Sequence, residues 1–226
     1  LSIPFYLLLI PLTLSFYEPK RHKLVIERSH LHQLSQIFKF SLLENIQLRW
    51  FIVFSAVIYA LNSAGLWLYQ PYLKLSGVDI VYFGIIFASF QIVAAISSKY
   101  AHRIENRLGT RISLIALIPI IFLGYLLTST TVFLFSFIFI FLFQFVRGFS
   151  EPVLSDYMNK LTTSDKRATV LSVQSLVQRL LYASLIPFIG WIADVYSLLQ
   201  ALTIAGIITL ISGTIIWFIL RKDKVI

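Results

Sequence analysis

There is no cysteine among the 226 residues, which excludes disulfides, thiolate metal sites and thiol nucleophiles. Methionine occurs once, at Met158, and the first residue is Leu1. The chain is therefore expected to be a piece of a longer protein, and its apolar start is not read as a signal peptide. Acids are scarce, ten Asp and Glu against nineteen Lys and Arg, for a net charge of +9. They form no cluster suited to holding Mg²⁺ for phosphoryl chemistry. None of the four histidines stands in an H-E-x-x-H arrangement, and His30 and His32 are too close for a helical ligand pair. These gaps argue against a membrane-embedded enzyme, and no metal or cofactor is expected. The positive charge forms no basic face interleaved with stacking aromatics, so nucleic acid is not an expected partner.

What is abundant is apolar. The composition is 58% hydrophobic with a mean hydropathy of +0.84, too apolar to leave a soluble domain a hydrated surface. A spanning helix needs ~20 apolar residues. Candidate spans are Leu1–Tyr17, Trp50–Tyr69, Tyr82–Ser98, Ile112–Leu127, Thr131–Ser150, Ala168–Ala193 and Leu198–Leu220. None alternates apolar and polar residues as barrel strands do. The expected fold class is all-α, a polytopic membrane helical bundle of about seven transmembrane helices. Trp50, Trp67, Tyr69, Tyr72, Tyr82, Tyr100, Tyr125, Trp191, Tyr196 and Trp217 lie near the span ends, where amphipathic rings favour the membrane interface.

Charge gives the orientation. All nineteen basic residues except Lys74, Arg147 and Arg179 fall in four segments that alternate with nearly uncharged connections. Basic loops stay in the cytoplasm, so the linker and the C-terminus are expected there, in a multi-pass protein of a bacterial plasma membrane. Residues 18–49 form the longest interruption. Leu31, Leu34, Ile37, Phe38, Leu42 and Ile46 recur in it at helical spacing, which predicts an amphipathic helix along the interface. The expected organisation is a helix at 1–17, a cytoplasmic basic linker at 18–49, a six-helix domain at 50–220 and a tail at 221–226.

Three stretches carry a resemblance. In the segment Ala101–Arg111, Arg107, Gly109 and Arg111 match a D-R-x-G-R-[RK] pattern, with Asn106 at the acid's position and Glu105 one residue early. Glycine there permits a tight reversal, and an acid can face a helix N-terminus. The stretch Asn159–Ser172 contains Arg167-Ala168-Thr169 and Leu171-Ser172, with Ser164 and Asp165 as candidate helix-starting residues. The third comprises Arg147, Gly148, Glu151 and Pro152, read as closing the fifth span, with Pro187 and Gly190 in the sixth. Proline weakens a helix locally. Together these stretches, with one span, a long basic linker and six further spans, are similar to the major facilitator superfamily. The resemblance implies two six-helix halves joined by a cytoplasmic loop, with this chain holding the sixth helix and the second half. It further implies that Glu105, Arg107, Gly109, Arg111 and Arg167 serve gating. In that family the helices equivalent to spans four and seven pack outside, and those equivalent to two, three, five and six line a central cavity.

The polar residues give the same division without the resemblance. Asn62, Gln91, Gln144, Arg147, Gln174, Gln178 and Arg179 lie in spans two, three, five and six, while the interiors of spans four and seven carry no amide or ionisable group. Arg179 is twelve residues beyond Arg167, ~18 Å along a helix. An arginine at that depth costs ~2.5–3.5 kcal/mol on insertion scales and persists where it faces water or a partner. Ser172, Ser175, Arg179 and Tyr182 fall on one helical stripe. Asn62 and Gln91 reach similar depths, and the sequence predicts that these side chains meet. The candidate solute-binding residues are thus Tyr59, Asn62, Gln91, Gln144, Gln178, Arg179 and Tyr182, with Arg147 and Glu151 as a coupling pair. The amides could equally be interhelical hydrogen-bond glue. The function expected is a secondary active transporter of a small solute working by alternating access, with proton coupling resting on Glu151. A non-transporting sensor or scaffold on the same fold is the alternative. The partners expected are a small-molecule substrate, the lipid bilayer and the N-terminal half of the same polypeptide.

Overall fold

Asn45 starts the first described spanning helix. Its Oδ1 accepts the Leu48 N–H at 3.0 Å, satisfying one of the free donors of a helix start. The computed structural model describes residues 38–223 apart from 165. Over that range there are seven α-helices: α1 Ile46–Ala64, α2 Tyr69–Leu75, α3 Phe83–Leu108, α4 Thr110–Thr130, α5 Ile140–Lys160, α6 Arg167–Val195 and α7 Leu198–Lys222. A 3-10 turn at Leu66–Leu68 joins α1 to α2, and the two form one span. Six spans long and apolar enough to cross a membrane result: Ile46–Leu75, Ile80–Leu108, Thr110–Thr130, Ser136–Lys160, Arg167–Val195 and Leu198–Lys222. A helix supplies every backbone partner internally, which hydrocarbon requires.

The expected span at Leu1–Tyr17, most of the linker with its histidines, Asp165 and the end of the tail lie outside the described residues. Within them, every span runs past the C-terminal end of its apolar stretch, while the fifth starts later than expected, at Ser136 rather than Thr131. Ile46 belongs to α1 rather than to a linker helix, and Arg221 is helical rather than part of a tail. The largest correction is at Ala101–Arg111, which is not a loop. The helix α3 continues to Leu108, α4 starts at Thr110, and Gly109 alone makes the reversal at φ +79° and ψ 156°. That backbone region is open to glycine and strained for other residues. Likewise Arg147–Pro152 does not close a span, since α5 runs on to Lys160. Pro152 and Pro187 both sit inside unbroken helices, as neighbouring helices allow in a bundle. A charged stretch ends an apolar window without ending the backbone hydrogen-bond ladder.

Packing runs in pairs: α3 lies along α5, α1 along α6 and α4 along α7. Small residues permit two of these approaches. A Cβ on Gly148 would fall 2.1 Å from the Ala94 carbonyl oxygen on α3, and one on Gly213 would fall 2.2 Å from Ile118 on α4. Three tyrosines expected at the interface are instead buried. Tyr69 packs between Phe90 and Phe143. The Tyr72 hydroxyl lies 2.8 Å from Ser136 Oγ, and Tyr125 donates to the Leu61 carbonyl at 2.5 Å. Leu61 is four residues before Gly65, where the first span breaks and the Gly65 N–H turns to Ser63. The hydroxyl therefore satisfies a carbonyl in the last turn before the break. Tyr125→Phe is expected to lower stability by about 1–3 kcal/mol, the cost of an unsatisfied buried acceptor. Thermal denaturation of the purified protein in detergent measures this, and an unchanged Tm would show that the carbonyl finds another donor.

Candidate functional site

Arg179 stands on an open stripe of α6. Twelve residues from the helix start place it ~18 Å in, and its side chain is exposed. With Leu171, Ser172, Ser175 and Leu176 it lines an open cavity of about 510 Å³. Ser172 Oγ donates back to the Ala168 carbonyl at 3.0 Å, which leaves its oxygen free to accept. Among the described residues Arg179 makes no hydrogen bond and no ion pair.

One turn further along α6, Tyr182 meets two aromatic residues. Tyr59 of α1 packs edge-on to it, with centroids 6.1 Å apart and planes at 72°. The Trp67 indole N–H donates to the Tyr182 hydroxyl. Trp67 lies in the 3-10 turn that follows Gly65, so the break in the first span brings the indole to α6. Sequence reasoning missed this residue by assigning it to the membrane interface. The signal was present as a glycine two residues before a tryptophan inside one long apolar run.

A second polar contact joins α3 to α5. Arg147 Nη2 donates to Gln91 Oε1 at 2.5 Å. The close approach at Gly148 holds the two helices near enough for this bond. Glu151, one turn on, is exposed and makes no ion pair with Arg147. Asp156 pairs with Lys160 at 2.7 Å.

The remaining amides are buried. Asn62, Gln144 and Gln178 are at most 7% exposed, and so is Gln174. Asn62 Oδ1, Gln144 Oε1 and Gln174 Nε2 have no partner among the described residues. Among the described residues no hydrogen bond joins Asn62, Gln91 and Arg179: Asn62 is buried, Gln91 is held by Arg147, and Arg179 is exposed. Asn62 is three residues after Tyr59, about 60° round the helix, which carries it from the open edge into the packed interior. Gln178 is one residue before Arg179, about 100° away, and is buried beside the open stripe.

At the basic end of the bundle Glu105 serves as a hub. It accepts from Tyr157 of α5 and, at 3.2 Å, from Thr110 at the start of α4. Phe51 of α1 stacks on Tyr157 with centroids 5.5 Å apart. Nearby, Trp50 Nε1 donates to Asp223 Oδ2 at 2.5 Å and links the start of α1 to the end of α7. Arg107 and Arg111 are exposed on either side of Gly109, while Arg167 Nη2 donates to the Asn159 carbonyl at 3.3 Å. Among the described residues no three His, Cys, Asp or Glu side chains gather as metal ligands would.

Comparison with known proteins gives one family. The family described as Major Facilitator Superfamily matches residues 1–186 and, in an overlapping second match, residues 52–225. No curated protein and no solved structure matches the chain. The matched residues cover essentially the whole sequence and include all six described spans. With long apolar helices packed in pairs and a reversal made by a lone glycine, the chain belongs to the major facilitator superfamily of membrane transporters.

Proposed function

We propose that this chain forms one half of a secondary active transporter that moves a small solute by alternating access. The observation that carries the reading is Arg179, an arginine deep in a span, exposed beside two serines and without a partner among the described residues. A charge at that depth is costly unless it serves a wet cavity or a counter-charge. A transport site supplies both in turn, since solute enters and leaves. The least internally buried spans are those of α6 and α3, at 17% and 22% of their apolar windows. Their open faces suit docking of a second six-helix half from the same polypeptide. The basic end faces the cytoplasm on this reading, and Glu105, Arg107, Gly109, Arg111 and Arg167 form its gating region.

Glu151 is our proposed proton carrier. It lies one turn from Arg147, whose guanidinium is held by Gln91. The test is counterflow in proteoliposomes holding the full-length protein. Exchange of labelled solute is expected for the wild type. Glu151→Gln is expected to keep exchange while losing about tenfold or more in proton-driven accumulation. Absence of exchange for every solute under every gradient would favour a sensor or scaffold.

A further inference from the structure

The aromatic group beside Arg179 narrows the solute class, on the transporter reading above. Trp67 is 68% exposed and Tyr59 is 36% exposed, yet both are fixed against Tyr182. A tryptophan serving the membrane interface directs its N–H to headgroups and water. This one directs it across to α6, to the residue three positions beyond Arg179. Three residues are ~4.5 Å along a helix, so an arginine head and an aromatic surface lie within the span of one small molecule. Trp67 is open and Tyr59 partly so, and among the described residues the guanidinium is unpaired. On the side of Arg179 away from Tyr182, the cavity continues along Ser175 and Ser172.

We infer that the solute is a small monoanion with a flat aromatic body, its acid group on Arg179 and its ring against Tyr59, Trp67 and Tyr182. The charge follows from the lining. Arg179 is the one cation among the residues lining the cavity, since Arg147 is committed to Gln91 on another helix pair. A dianion would leave one charge unmatched, and an amine would be repelled. The ring follows from the aromatic set, which favours edge-to-face and offset contacts with a second π-system. A sugar would leave the guanidinium without a counter-charge.

The experiment uses the full-length protein in detergent for binding and in proteoliposomes for exchange. The probes are benzoate, acetate, cyclohexanecarboxylate and benzylamine. Benzoate is expected to bind about tenfold or more tighter than acetate and a few fold tighter than cyclohexanecarboxylate. Trp67→Leu is expected to lower benzoate affinity about tenfold and acetate affinity less than about twofold. Trp67→Phe, which keeps a ring, is expected to retain most of the benzoate preference, so a folding defect is distinguishable from loss of the ring. The inference is overturned if benzylamine or acetate binds as well as benzoate. It is also overturned if none of the four binds, or if Trp67→Leu weakens acetate and benzoate alike. Exchange separates the two readings. Exchange of benzylamine without benzoate leaves a transporter and removes this solute class, whereas benzoate binding without exchange of any probe supports the site and removes the transporter.

Discussion

Arg179→Ala is expected to reduce solute exchange by about 10- to 100-fold while leaving the yield of folded protein unchanged or higher. The two effects have opposite signs for one reason. Among the described residues this guanidinium has no partner, so the charge costs stability and contributes none. Removing it from mid-depth relieves ~2.5–3.5 kcal/mol of insertion cost. The solute then loses a charge-assisted hydrogen bond of ~1.5–3 kcal/mol, which corresponds to the stated loss. Arg179→Lys keeps the charge without the planar fork and should recover part of the exchange. Counterflow in proteoliposomes at matched protein content measures all three forms. Wild-type exchange by the alanine variant would remove Arg179 from the site, and a collapse in folded yield would assign it a structural partner instead.

Gly148→Leu is expected to abolish the folded state, and even Gly148→Ala to lower Tm sharply. An added Cβ would meet the Ala94 carbonyl oxygen at 2.1 Å, its carbon at 2.8 Å and its Cα at 2.9 Å. These are backbone atoms of a neighbouring helix, so no side-chain rotation relieves the clash. The pair α3 and α5 would have to separate, breaking the Arg147–Gln91 bond and loosening Phe90 from Phe141. Overpacking of this kind costs about 1–3 kcal/mol or more. Gly190→Ala is the matched control, because its Cβ would meet nothing within 4 Å and alanine favours a helix. Size-exclusion profiles and thermal denaturation in detergent compare the two. A Gly148→Ala protein as stable as Gly190→Ala would show that the close approach is dispensable.

Arg147 and Glu151 show where reading the sequence falls short. Their spacing placed them on one face of one helix, which suggested a mutual pair. The guanidinium instead turns to Gln91, 56 positions earlier in the chain, because the close approach at Gly148 brings α3 within its reach. Gly148 and Pro152 read as the close of the fifth span. Glycine here is a contact residue, and the helix passes through the proline unbroken. Glu105 was legible as an acid near a reversal. Its partner Tyr157 was not, since it lies 52 positions away on a helix whose end extends past the apolar run.

Composition and charge order determined the class by themselves. Hydrocarbon admits few backbone arrangements, so long unalternating apolar runs must be helices, and their number and approximate limits follow directly. The depth of Arg179 and its alignment with Ser172, Ser175 and Tyr182 followed from helical period alone. Tertiary structure decided which polar groups share a space. Helix rotation separated exposed Tyr59 and Arg179 from buried Asn62 and Gln178, and the break after Gly65 delivered Trp67 to Tyr182. Rotation and breaks are set by side-chain packing between distant segments, and local sequence carries no term for that.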